Sequence, residues 1–165
     1  MANLDGPKGF FYHSGPNRLR HYDVDSSNAT AIFVGDAVTM EDDGNITPAA
    51  AGGVIMGISN GYLAVSTAGK VPVFDDPQTL FWVQTDGAGT AIVEAAIGNN
   101  CDHIAGAGSA DTLRSGHEID ESEITAATAG FRIIDKVNTP GNAWGANCKL
   151  IVKVNEHFYQ TTTGI

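Results

Sequence analysis

The chain has 165 residues, 42% hydrophobic and 17% charged, and nine Lys and Arg stand against nineteen Asp and Glu for a formal net charge of −10. That length supports one domain with a buried core, and that composition excludes a disordered chain. So acidic a balance also excludes broad nucleic-acid binding, which needs Lys and Arg on phosphates, and no window approaches the roughly 18 apolar residues of a membrane span.

Residues 1–22 run against the average. Lys8, Arg18 and Arg20 face only Asp5, which is +2, so the remaining residues carry −12. Phe10-Phe11-Tyr12 follows Gly6-Pro7-Lys8-Gly9 with no strand pattern around it. We read an extended N-terminal arm over residues 1–22. Its aromatic triplet acts either as a plug in a neighbouring molecule or as a cover for one end of its own barrel. Lys8, Phe10, Phe11, Tyr12, Arg18 and Arg20 are the candidate partner-binding residues, aromatics as anchors and cations meeting acidic groups. The start MANLDGPKGF has no apolar h-region, so no signal peptide is expected.

From residue 23 the hydrophobic period is two, which predicts strands. Short runs fall at Ala31–Val34, Ala37–Met40, Ile46–Pro48 and Val54–Ile58. The run Tyr62–Val65 follows Ser59-Asn60-Gly61, an Asn-Gly hairpin signal. Further strands are expected at Lys70–Phe74, Leu80–Thr85 and Thr90–Ala95. Residues 97–125, rich in Gly, Asn, Ser and Asp, read as a long surface excursion, with room for one helical turn at Ser122–Ala127. Order returns at Phe131–Val137, with a turn at 138–142. In Cys148–Asn155, Cys148, Leu150, Val152 and Val154 share one face and Lys149 and Lys153 the other. Many short strands joined by Gly-, Asn- and Asp-rich turns predict an all-β, single-domain antiparallel sandwich or barrel over 23–160, with a tail at 161–165.

The chemical motifs are weaker than the fold signal. Glu41-Asp42-Asp43-Gly44-Asn45 resembles a calcium loop only in composition. Aligning Gly44 with the loop's invariant Gly puts Thr39 and Ala50 where the two terminal acids belong, so a hairpin corner is the better reading. Gly57-Ile58-Ser59-Asn60-Gly61 matches the nucleophile-elbow pattern, but a strand-like run and not a helix follows it. Cys101, Asp102, His103, His117 and Cys148 lack the paired spacings of a zinc site. His13, His21 and His157 are scattered. Gly106-Ala107-Gly108 meets Asp111 where a dinucleotide-binding loop needs a third Gly. No catalytic residue, metal site or cofactor is expected, and both cysteines read as buried thiols.

The segments Gly6–Phe10, Ile32–Val38, Asp43–Ala49, Gly53–Ile58, Phe131–Ile134 and Cys148–His157, in that order, resemble the capsid decoration or cement proteins of tailed bacteriophages. The resemblance spans most of the chain except the central excursion. It implies a mostly β, non-enzymatic virion protein made in the host cytoplasm and carried on the outer capsid surface. Such proteins bind the major capsid protein and themselves. A homotrimer suits local three-fold positions and a dimer two-fold ones. The alternative is a carbohydrate- or receptor-binding β module, which wants exposed aromatics beside Asp and Asn in the 98–117 loop. That loop has no Trp, Tyr or Phe.

Overall fold

The computed structural model describes residues 3–162. Their period-two segments form strands β1 (Phe11–Ser14), β2 (Leu19–Val24), β3 (Ala37–Met40), β4 (Ile46–Pro48), β5 (Gly57–Ser59) and β6 (Gly69–Phe74). They continue with β7 (Leu80–Gln84), β8 (Asn100–Cys101), β9 (His103–Ile104), β10 (Glu118–Ile119), β11 (Phe131–Lys136) and β12 (Lys149–Val154). Two five-stranded antiparallel sheets result, in the orders β1-β7-β12-β11-β8 and β2-β6-β5-β3-β4, with β9 and β10 as a separate ribbon. The fold is all-β and builds an antiparallel sandwich.

Strand alternation explains which faces meet. Leu150, Val152 and Val154 of β12, Phe81 and Val83 of β7, and Phe131 and Ile133 of β11 point inward together. They pack on Ala37, Ile58 and Phe74 of the second sheet. The second sheet turns Val38, Val71 and Val73 the other way, where Tyr22, Ile32, Ile46 and Met56 join them under Leu63 and Phe158. The middle of the second sheet is therefore buried on both sides, while at its β2 edge His21, Asp23 and Lys70 stay exposed. The first is buried on one only, and its outer face looks into solvent.

Several expectations are corrected. The arm drawn over residues 1–22 is woven into the body, because β1 pairs with β7 and β2 pairs with β6. Phe10 is only 2% exposed and stacks on Phe131 at 4.5 Å, so it covers its own core and is no plug for a neighbour. The crossing depends on Gly9, at φ +75°, where an added Cβ would lie 2.6 Å from the Gly35 carbonyl oxygen.

Asn60-Gly61 does not close a hairpin. Neither residue has positive φ, and β5 pairs instead with β3 and β6, leaving Leu63 to bridge Ile32. Residues 90–95 form no strand. Only Ile92 is buried there, Val93 faces solvent, and a 3-10 turn begins at Glu94. The 97–125 segment is only partly a surface excursion: Cys101, His103, His117 and Ile119 are buried and β8 extends the first sheet. The helical turn starts one residue earlier than expected, at Glu121–Glu123. Residues 1, 2 and 163–165 lie outside the described residues.

The acidic knot is a hairpin corner joining β3 to β4. Glu41 N–H donates to the Asn45 carbonyl, Gly44 sits at φ +86°, and the Asp43 carboxylate accepts from the Asn45 backbone and side chain. Those bonds hold the Asp43 carboxyl below the usual range.

Two measurements check this packing. Phe10→Ala should cost about 3–5 kcal/mol of unfolding free energy in denaturant titration, because a buried ring is lost from a close-packed core. The buried histidines set the acid limit. Burial lowers His117 to about 3 and His157 to about 4, from 6.5. The unfolded chain then takes up protons near pH 6.5 while the fold does not. Their stabilisation is full above pH 6.5 and is lost as pH falls towards 4 and 3, by up to about 3 kcal/mol for His157 and about 5 kcal/mol for His117. Asp36, raised by burial from 3.8 to about 6, and Glu118, raised by burial and then by Asp5 and Asp86 from 4.5 to about 7, work in the opposite direction, their contributions fading as pH rises through 6 and 7. Over pH 6.5 to 4 the thermal midpoint should therefore fall less, or rise more, in His157→Gln than in the wild type.

Candidate functional site

The outer face of the first sheet carries what its inner face cannot. Antiparallel register puts Phe11 of β1 beside Trp82 of β7, and Trp82 beside Ile151 of β12. The Phe11 and Trp82 rings stack in parallel at 4.3 Å. The Arg114 guanidinium lies 4.9 Å from the Phe11 ring centre, and the Lys149 ammonium 5.7 Å from that of Trp82. Since β1 and β12 flank β7 on opposite sides, the order across the face is cation, ring, ring, cation. Each cation–ring contact at an exposed site contributes about 0.5–1 kcal/mol.

More positive charge surrounds the stack. Lys153 and Arg132 are register partners on the same face, and Lys8 lines the grooves beside Trp82. One groove, about 590 Å³, runs between Lys8, Phe11, Trp82 and Arg114. A second, about 290 Å³, lies between Leu4, Lys8, Trp82 and Lys149. Five of the chain's nine cations thus gather on one face of an acidic protein. Among the described residues none of the five has a carboxylate within salt-bridge distance. Lys153 instead reaches the Gln78 side-chain oxygen at 3.3 Å and Arg132 the Asn100 one at 2.9 Å. Asp5 and Asp135 are the acids at this face: Asp135 pairs in register with Ile151, and Asp5 lines the smaller groove.

The sequence-level candidates divide. Lys8 and Phe11 belong to this face. Phe10 is in the core. Tyr12, next to Phe11 and hence on the inner side of β1, stacks on Phe74 and donates its hydroxyl to the Gly15 carbonyl at 2.7 Å. Arg18 and Arg20 lie elsewhere, at the fully buried Asp75. Arg18 Nε donates to Asp75 Oδ1 at 2.7 Å, Arg20 Nη1 stands 3.5 Å from Oδ2, and the Tyr22 hydroxyl donates to Oδ2 at 2.6 Å. The hydrogen bond to Asp75 raises the Arg18 pKa, and burial followed by the same carboxylate raises that of Tyr22. These two arginines compensate a buried charge of their own chain.

Trp82, Arg114, Arg132, Lys149 and Lys153 were not among the candidates. Alternation already puts Lys149 and Lys153 on the solvent side, and Trp82 follows from Phe81 being inward. Nothing local marks Arg114, which reaches Phe11 from inside the Gly-rich segment.

A second cluster is buried. His117 Nδ1 accepts from the Ala37 N–H at 3.2 Å, so Nε2 carries the proton and faces Asp36 Oδ1 at 3.5 Å. His103 Nε2 donates to the Ala49 carbonyl at 3.0 Å, and the two imidazoles stack at 5.1 Å. Ser59 Oγ donates to the Phe33 carbonyl and accepts from Asp36 N–H. Ser, His and Asp are therefore gathered, but the Ser59 proton is aimed at a carbonyl and not at an imidazole, and the group pins the 33–37 turn. Cys101 and Cys148 are buried free thiols, and burial holds the Cys148 thiol up at about 11. Among the described residues no three or more His, Cys, Asp or Glu side chains form a group able to hold a metal ion. Comparisons with protein-family models, with curated proteins and with solved structures return no match.

The two charge arrangements differ in what they do for stability. Asp75→Asn weakens the charge-assisted hydrogen bonds from Arg18 and Tyr22 but leaves two half-exposed arginines still solvated, so unfolding free energy should drop by about 1–3 kcal/mol. Lys149→Ala and Arg114→Ala should each change it by less than about 1 kcal/mol. Urea titration of the three variants makes the comparison.

Proposed function

We propose that the protein is a structural virion component, a decoration or cement protein that binds the outer surface of a phage icosahedral capsid as a symmetric oligomer. The observation that carries this reading is the outer face of the first sheet. Five cations without carboxylate partners surround a stacked aromatic pair on a chain of net charge −10. They add little to the fold, so their arrangement suits a surface made to be covered. The ordered resemblance of the chain segments to phage decoration proteins names the assembly.

The mechanism is mass action. A protein that binds only the assembled shell lowers the free energy of that shell. A symmetric oligomer gripping several capsid subunits gains avidity without any new kind of contact. Each interface would be of standard size, roughly 1,200–2,000 Å² in total. Nothing in such a grip requires a nucleophile, a base or a cofactor. The sugar-binding alternative gains no support from the aromatic pair. Phe11 and Trp82 cover one another, and Arg114 and Lys149 lie over their other sides, so neither ring offers an open face to a pyranose.

The test uses purified heads of the phage that encodes the chain. The protein should co-sediment with expanded heads at about one copy per one to a few capsid subunits. Heads lacking it should release DNA at a lower temperature than complete heads. Occupancy far below that ratio, or no change in DNA release, would sink this reading.

A further inference from the structure

The outer face of the first sheet is basic, and its occupant must be acidic. The same chain supplies a matching part. Glu41, Asp42 and Asp43 form an exposed corner between β3 and β4 at the edge of the second sheet. Among the described residues these three acids have no cation within salt-bridge distance, and only Asp43 is engaged, by Asn45. Yet cations elsewhere in the chain do find acids: Lys70 lies 2.6 Å from Asp23, and Arg18 is 2.7 Å from Asp75. The chain therefore leaves the basic face without ion-pair partners, and although other exposed acids such as Asp111 and Glu123 also lack a cation among the described residues, the corner is its one run of three consecutive acids.

The two cannot meet within a molecule. The face points away from the second sheet, because its strands turn Phe81, Val83, Leu150 and Val152 towards that sheet. They can meet between molecules. The corner is a narrow, convex turn, and the face has grooves on either side of Trp82 with Lys8 and Arg114 on one and Lys149 on the other. Convex acid against concave base is complementary in both shape and charge.

We infer that a second copy of this chain occupies the face, with the Glu41–Asp43 corner of one protomer seated against Lys8, Arg114, Lys149 and Lys153 of the next. The contact is heterologous, since each protomer offers a different surface on its two sides, and such contacts close into rings when the rotation permits. The inference rests on the assembly reading of the face and gives that assembly its internal joint. Carboxylates of the corner take the place of the missing counter-charges, and the Phe11–Trp82 pair is the apolar floor beneath them.

The test needs only the purified full chain and no shell, so its failure is separable from failure of head binding. Sedimentation velocity should find an oligomer whose dissociation constant rises at least about tenfold between 50 mM and 500 mM salt, as screening shortens the reach of the charges. Lys149→Glu with Lys153→Glu should shift the population to monomer. Glu41→Lys with Asp42→Lys should do the same. Both pairs of changes in one chain, or an equimolar mixture of the two variants, should restore the oligomer, which also shows that the variants are folded. The inference is overturned by a wild-type monomer at 100 μM, taken as about a hundredfold above a micromolar dissociation constant. It is equally overturned if reversal of the corner leaves association unchanged, or if neither the double reversal nor the mixture recovers it.

Discussion

The strict alternation of β7 and β12 is the constraint on which the rest depends. Side chains one residue apart go to opposite worlds. Phe81 and Val83 are in the core and Trp82 is outside it; Leu150 and Val152 are in the core while Lys149 and Lys153 are outside. A slip of one residue in the β7–β12 register would turn two ammonium groups inward and several aliphatic side chains outward. Burying one ion without a partner is expensive enough to forbid it. The core therefore fixes the outer face as firmly as it fixes itself, and the spacing of Lys149, Ile151 and Lys153 beside Trp82 is a by-product of packing on the other side.

Charge is sorted by the same architecture. The middle of the second sheet is buried on both faces, so polar side chains around it compensate one another, as Arg18, Arg20 and Tyr22 do at Asp75, or collect at its edges and corners. The first sheet has an open face, and there cations gather around rings. In the buried layer between the sheets His103, His117, Asp36 and Ser59 satisfy backbone groups of irregular segments. Desolvation keeps the two histidines neutral and resists ionisation of Asp36. Charge is expressed outside and suppressed inside, and the two tasks fall to different residues.

The fold class and the later strands were legible in the sequence because alternation is a local signal. β12, β11, β7, β6 and β3 each fall where the period-two pattern puts them. What was not legible depended on distant partners. Phe11–Ser14 has no alternation of its own and becomes a strand only because β7 presents an edge to it, about seventy residues away in the chain. Asn60-Gly61 carries a good turn signal, but β5 before it has better partners in β3 and β6. His103 and His117 sit in a stretch whose composition reads as surface, because buried polar groups and solvated ones look alike until their hydrogen bonds are known. The outer face of the first sheet followed the same rule: Lys8 and Phe11 were singled out from the chain and alternation set Lys149 and Lys153 on the solvent side, whereas Arg114 needed the fold to carry it there.

The position of β12 has a consequence for biosynthesis. It is the last strand of the chain and the central strand of its sheet, with β7 on one side and β11 on the other. Neither neighbour can complete its hydrogen bonds until β12 has left the ribosome, and Phe10, translated long before Phe131, waits for its seat on that ring. The first sheet thus stays unfinished until β12 has been made, and it arises in a late, concerted closure. Such long-range pairing is slow and leaves edges open while it lasts. A chain stalled before β12 would lack Lys149 and Lys153 and leave Trp82 on an open strand edge.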